Sequence, residues 1–588
     1  MLGASKTSYI QILIVLSYVS SIIAYLHKIG SRCYIKTLMK SIKAQLTPNK
    51  TLFLVVVALA QFIIIVDSTF MSVSISTLVV DLHTSVTAVQ TAIALYTLVM
   101  ASLMIAGAKI GDIFGRRKIF FVGLTIYATG TLIASLSPNI VTFILGWSFM
   151  EGIGAALMLP AMVALIAGNY PAGIERTKAY AVLAMVGSSA AAIGPIVGGI
   201  FTTYLSWRLA FFSELFVVAF IVLNRQIIKD AIYQGKAPSF DFKGFILTVT
   251  GFVSLVGGII LASYYGILHA RTDVVVAGQT IITAGQLSPT VWLVLTGLSI
   301  LTIFYFYEKS RLDKKLSVLI DVRLFTQRIV VAGSFTMFAQ YLATASIIYS
   351  LALYLQMGLG YNAIQNGLTL LPLSIAVVIA ALFGSKVLAS RIAPRWVVMT
   401  GFGFMTLGAA SMGLTARNAT SGIDFALGIF LIGLGVGLIA SQNQNLVISS
   451  VPNKFSSEIS GVLNTCLNIG SSMGTALAGA IIITSFIFNF TTQVDNSTAF
   501  TDGQKTQINT AVNQQAQIVS NTAFESLVVT IPQPQQTDLV NINSQARQTA
   551  LTRIYIVIGG IGIMGILASL LIPKTKPLDY LKNPKQFS

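Results

Sequence analysis

Apolar runs of about 18 to 25 residues, each long enough for one helical crossing of a bilayer, recur along this chain between short polar breaks. They fall at 52–74, 88–108, 118–137, 141–168, 178–201, 207–226, 243–263, 289–308, 328–356, 366–388, 396–415, 424–446, 458–488 and 553–573. The pattern predicts an all-α polytopic membrane protein with fourteen core transmembrane helices. An even count puts both ends of that core on one side.

The charges test this independently, because Lys and Arg accumulate in cytoplasmic loops. With the segment before Leu52 inside, Gly115-Arg116-Arg117-Lys118, Glu175 through Lys178, Arg225 through Lys243, Lys309 through Arg328, Lys386 through Arg395, Lys454 and Lys574-Thr575-Lys576 all fall inside. The opposite loops hold only Arg271, Arg417, Lys505 and Arg547. Both core termini are therefore expected in the cytoplasm, with the chain in the plasma membrane.

Two segments fit the pattern less simply. Ile10 to Leu26 is apolar but short, and is followed by Lys28, Arg32, Lys36, Lys40 and Lys43. A signal peptide is basic before its apolar region, not after it. Residues 1–50 thus read as an N-terminal extension: an extra span, an interfacial element, or a stretch preceding a start at Met39. The Gln-, Asn- and Thr-rich loop 489–551 is the one sizeable extramembrane segment. It reads either as a helical hairpin (Gln504 through Val529 and Thr537 through Ile554, broken at Pro532 and Pro534) or as a solvated linker.

Composition supports lipid as the solvent. Of 588 residues, 55% are hydrophobic and 10% charged, against about 25% charged in soluble domains. The net charge of +18 then reads as a topology signal, and no aromatic-and-basic groove points to nucleic acid. Cys33 and Cys466 form no C-x-x-C pair, and His27, His83 and His269 are the only histidines. Neither a disulfide framework nor a metal site is expected. The three histidines and the lack of a clustered Asp/His set speak against an enzyme, no cofactor is expected, and the lack of a Walker-type phosphate loop speaks against ATP as the energy source.

Ala108-Lys109-Ile110-Gly111-Asp112-Ile113-Phe114-Gly115-Arg116-Arg117-Lys118 resembles the signature loop of the major facilitator superfamily. The resemblance implies a conformational gate built on Gly111, Asp112, Gly115, Arg116 and Arg117. The aspartate would accept from the N–H groups of a neighbouring helix start, with the arginines pairing to it. Gly187 followed by Gly194-Pro195-Ile196-Val197-Gly198-Gly199 resembles the superfamily's antiporter motif, which implies export. Small residues there permit close helix packing, and a proline softens the helix. Asp67-Ser68-Thr69, Trp207-Arg208 with Phe211, and Tyr354-Leu355-Gln356 through Gly360-Tyr361 are similar to elements of the fourteen-span drug:proton antiporter family. Membership there implies two six-helix bundles, 51–226 and 328–588, separated by two extra helices and their loops in 227–327.

Departures from that family concern coupling. Its fourth span carries an arginine where this chain has Ser148, and a glutamine where it has Glu151; Leu467 stands at another arginine position, and Glu214 replaces an asparagine. Asp67, Glu151 and Glu214 are acids within spans. A charge there costs roughly 2.5 to 3.5 kcal/mol at mid-bilayer, so its presence points to use. The expectation is that Asp67 and Glu151 face a central cavity as proton and substrate carriers, with Glu214 a weaker candidate that could instead pair with Arg208. Gln356 is a further candidate for binding. The function expected is secondary active export of small amphiphilic, cationic compounds in exchange for protons, by a monomer. The alternatives are export of lipids, metabolites or other uncharged solutes, or a membrane sensor that does not transport.

Overall fold

The computed structural model describes residues 48–170, 174–230, 240–276, 279–388, 391–451, 455–515, 521–529, 531–572 and 574. The N-terminal apolar stretch and the C-terminal tail beyond Lys574 lie outside them. The N-terminal bundle comprises α1 (Pro48–Phe70), α2 (Val86–Phe114), α3 (Arg116–Ser135), α4 (Ile140–Asn169), α5 (Ile174–Tyr204) and α6 (Trp207–Leu223). A central pair follows, α7 (Phe242–Tyr265) and α8 (Pro289–Asp313). The C-terminal half has α9 (Arg328–Gly358), α10 (Ala363–Phe383), α11 (Pro394–Thr415), α12 (Gly422–Ser449) and α13 (Ser456–Asn496). Short helices α14 (Asp502–Gln515) and α15 (Asn521–Val528) precede the last long one, α16 (Gln535–Ser569).

Local chemistry sets these boundaries. Ser85, Asn139, Ser206 and Asp241 cap the starts of α2, α4, α6 and α7 with side-chain oxygens, and Ser288-Pro289 opens α8. Such caps satisfy backbone donors that have no partner within the helix. Asn362 and Gln365 form a reciprocal capping box at α10. At the turn between α2 and α3, Gly115 takes φ +97°, a conformation that disfavours any side chain.

Twelve helices among the described residues are long and apolar enough to cross a membrane. The hydropathy pattern predicts fourteen, and the two remaining positions are those of α5 and α6. At 17 residues α6 rises about 26 Å, slightly short of the ~30 Å hydrocarbon core.

Packing repeats between the halves. α1 packs on α5 and α6, α3 on α4 and α6, and α2 on α4; α9 packs on α13 and α16, α11 on α12 and α16, and α10 on α12. The halves meet where α2 runs along α13 and α5 crosses α10. Helix α7 lies against both α2 and α13, while α8 packs on α7 and turns Trp292, Leu295, Leu298, Ile303 and Phe306 outward. Exposed apolar side chains in such a band fit lipid contact. A two-stranded antiparallel hairpin, β1 (Val274–Val276) and β2 (Gln279–Ile282), joins α7 to α8.

The segment after 489 folds as a helical hairpin, with one correction to its expected shape. The two flanking spans do not stop at the membrane. The 41 residues of α13 and the 35 of α16 extend about 61 and 52 Å, so both run on into the cap. Phe490, Val494, Phe500, Val528, Leu539, Ile542 and Ala546 form its apolar core. Below, the "cap end" is this end of the bundle and the "basic end" is the one carrying Gly115.

Candidate functional site

The three intramembrane acids converge inside the N-terminal bundle. Asp67 (α1) and Glu151 (α4) are 0% exposed and Glu214 (α6) 7%. Neither Asp67 nor Glu151 opens onto a space between the halves here, in contrast to the expected central cavity. The indole Nε1–H of Trp147 donates to Asp67 Oδ2 at 2.7 Å, and the Tyr127 hydroxyl to Glu214 Oε2 at 2.7 Å. Glu151 and the Tyr96 hydroxyl lie beside Asp67. Within the described residues, Asp67 Oδ1, both carboxyl oxygens of Glu151 and the Tyr96 hydroxyl have no partner in hydrogen-bond geometry. Among the described residues, no Lys or Arg forms an ion pair with any of the three.

Two sequence features build this site. A turn of π-helix, Ile144–Glu151, interrupts α4; such turns insert a residue and redirect the side chains around them. It carries both Trp147 and Glu151, and Ser148 ties it to α2 by donating to the Ala92 carbonyl at 2.8 Å. Helices α3 and α4 cross at Gly130 and Gly146, where a methyl on Gly130 would lie 2.9 Å from Glu151 Cγ. Around this core Tyr96 stacks on Trp147 (5.0 Å, 7°), and Phe143 contacts Trp147, Trp207 and Phe211. Tyr96, Tyr127 and Trp147 escape a sequence reading because aromatic residues at helical spacing are usual in membrane cores.

Arg208 does not pair with Glu214. It reaches the Ser137 carbonyl at 2.7 Å and Asp81 at 3.8 Å, and Trp207 Nε1 donates to Asp81 Oδ2 at 2.9 Å. The Trp207-Arg208 element thus clamps the cap-end turns of its own bundle.

At the basic end the expected pairing of aspartate with arginine is found, and the helix N–H has a different acceptor. Asp112 takes the Arg116 guanidinium at 3.0 Å, not a helix N–H. That role belongs to Asp230, whose Oδ1 accepts from the Arg117 backbone N–H at 3.2 Å. A Cβ on Gly115 would lie 2.7 Å from Asp230 Oδ2, whereas one on Gly111 would meet nothing nearer than 4.0 Å. Asp230 sits 113 positions from Arg117 along the chain, beyond the reach of any local motif.

At the cap end, Gly194 and Gly198 let α5 lie against Thr69 and Phe70 of α1, while Gly199 and the Pro195 carbonyl meet Ala363 and Gly367 of α10. The motif therefore serves a packing crossing within its bundle and one between the halves. Gln356 sits in a second π-turn, Tyr354–Gly358, and both ends of its amide are engaged across the halves. Its Oε1 accepts from the Ser76 N–H at 2.8 Å, and its Nε2 donates to the Ser72 carbonyl at 3.3 Å. The Gln356 amide thus joins the two halves at the cap end in this arrangement. Asn366 of α10, unremarked in the sequence, is 0% exposed, and neither of its amide atoms has a partner among the described residues.

Residues 57–228 and 244–475 match the model of the Major Facilitator Superfamily. Among curated relatives, a tetracenomycin C resistance and export protein of Streptomyces glaucescens is 27% identical over 73% of this chain and 75% of its own length. The multidrug efflux pump LfrA of Mycolicibacterium smegmatis is 25% identical over 74% of this chain and 81% of its own. Among solved structures, an inward-facing bacterial homologue of the lysosomal transporter Spinster superposes with a TM-score of 0.54 at 12% identity, covering 90% of this chain and 98% of that one. A D-xylose–proton symporter gives 0.53 at 14% identity, covering 89% and 98%. Matched over more than half its length and folded as two repeating six-helix halves, the chain belongs to the Major Facilitator Superfamily.

Proposed function

We propose that this protein exports small amphiphilic cations in exchange for protons. The observation that carries this reading is Asp67, a carboxylate held inside the bundle by an indole N–H with no cationic side chain paired to it. With Glu151 beside it, this makes a pair of acids in low dielectric that can be balanced by a proton or by a cationic cargo, but not readily by both. Competition between the two suffices for antiport. The named functions of the relatives, tetracenomycin C export and multidrug efflux, support the direction and the cargo class.

The remaining assignments follow. The basic end faces the cytoplasm by the distribution of Lys and Arg. Counting α5 and α6 as crossings gives fourteen spans in the plasma membrane, with both core termini in the cytoplasm. The protein acts as a monomer, and the opening and closing of the cap end and the basic end in turn moves the cargo. The loop carrying Gly111, Asp112, Gly115, Arg116 and Arg117 is the gate at the basic end.

Export of an uncharged solute is the second reading. It rests on Ser148 and Leu467 standing where the resemblance expects arginines, and on a relative named as the riboflavin transporter RibZ of Clostridioides difficile, 23% identical over 83% of this chain. Everted vesicles with a preset pH gradient separate the two. Collapse of the gradient by cationic amphiphiles alone is the expected result; a response to neutral compounds alone would replace the first reading with the second.

A further inference from the structure

The three carboxyls of the N-terminal bundle stand in unequal surroundings. Asp67 holds a hydrogen bond from Trp147, and the Tyr96 hydroxyl beside it can rotate to donate another. Glu214 has the Tyr127 hydroxyl. Among the described residues Glu151 receives no hydrogen bond in good geometry: the nearby Thr131 hydroxyl donates to the Tyr127 carbonyl at 3.0 Å, and both Glu151 oxygens remain open. A buried carboxylate without donors is strongly disfavoured. One proton placed on Glu151 removes that charge and also gives the open Oδ1 of Asp67 a donor.

We propose a division of labour in which Glu151 holds the exchanged proton and Asp67 stays the fixed carboxylate that keeps it there and attracts the cargo. This rests on the proton-exchange reading above. With the site empty of cargo, Asp67 is charged and Glu151 neutral, a net charge of one negative. When a monocation enters, the Glu151 O–H bond breaks, the proton leaves to bulk water, and the cargo's charge balances the new carboxylate. The site's net charge is the same before and after, so one proton is exchanged per unit of cargo charge. The titratable groups facing Glu151 are Asp67 on α1, Tyr96 on α2, Tyr127 on α3 and Glu214 on α6. None of these is cationic, so among the described residues only the proton or the cargo is left to compensate the pair.

The test uses purified full-length protein in detergent, tetraphenylphosphonium as the probe, and a pH-sensitive dye to count protons released on binding. The wild type is expected to release about one proton per probe bound, with binding weakening as pH falls. Glu151→Gln keeps an N–H donor toward Asp67. It is expected to bind the probe about as weakly at every pH as the wild type does at low pH, release no proton, and lose the pH dependence. Glu151→Asp is expected to restore release, which shows that a folded site is being read. Asp67→Asn is expected to lose binding at least tenfold. Unchanged proton release from Glu151→Gln would overturn this assignment while leaving proton exchange standing. No release from the wild type would overturn both.

Discussion

Trp147 and Asp67 are joined at 2.7 Å by a hydrogen bond that crosses from a π-turn in α4 to the cap-end third of α1, with both residues buried. The indole is fixed on its other side by the parallel ring of Tyr96, so the donor is held in place before any charge arrives. Hydrogen bonds to charged groups contribute about 1.5–3 kcal/mol. A double-mutant cycle with Trp147→Phe and Asp67→Asn is expected to give a coupling free energy in that range, read from thermal unfolding of the detergent-solubilised protein. Coupling near zero would mean that the indole merely fills space beside the acid.

Glu151 lies against the crossing of α3 and α4, where Gly130 and Gly146 bring two backbones together. Gly130→Ala would drive a methyl into the Gly146 carbonyl and Glu151. Over-packing of this kind costs typically 1–3 kcal/mol. A lower melting temperature together with loss of probe-induced proton release is expected. An equal substitution at Gly257, where a Cβ meets nothing within 4 Å, should leave both unchanged.

The broad architecture is legible in the sequence because lipid imposes length and apolarity on every span. Hydropathy alone finds Pro289–Asp313 and Pro394–Thr415 to within a few residues. The relations between spans are another matter. Asp67 is visible as an acid in an apolar run, but nothing local announces that Trp147, eighty positions away, would be its donor. Asp230 is hidden in a basic loop, and its service to Gly115 and Arg117 appears only once α6 has returned to the basic end. Gln356 reads from its motif as a binding residue, whereas the fold engages its amide across the halves. Helix starts such as Asn362-x-x-Gln365 are readable, since capping is local chemistry.

Gly115 and Asp230 together give the loop at the basic end its shape. At φ +97° and ψ +129° a side chain costs about 1–3 kcal/mol, and a methyl would also contact the Asp230 carboxylate. Gly115→Ala is therefore expected to impair transport without preventing insertion. Asp230→Ala removes only an exposed acceptor, worth about 1 kcal/mol or roughly fivefold in an opening equilibrium. Hydrogen exchange at the Arg117 amide should quicken by about that factor, and an unchanged rate would remove Asp230 from the latch.

At the cap end two amides pull in opposite directions. Gln356 is satisfied while the halves are together, through Ser76 and Ser72. Asn366 sits on the first turns of α10, which pack against α5, residues 71–73 and the π-turn that carries Gln356. There neither of its amide atoms has a partner. Two net hydrogen bonds favour the closed arrangement by about 1–3 kcal/mol, and a buried unpaired polar group disfavours it by about 1–3 kcal/mol. Opening reverses both, because water reaches each amide. Gln356→Ala should therefore populate an open cap end and Asn366→Leu a closed one, each shifting the equilibrium by roughly tenfold. Spin labels at Leu136 and Ile423, exposed on opposite halves, would report the shift as longer distances in the first variant and shorter, narrower ones in the second. Asn366→Leu should also slow cargo release while leaving probe binding at Asp67 intact. Equal distance distributions in both variants would show that these amides do not set the balance.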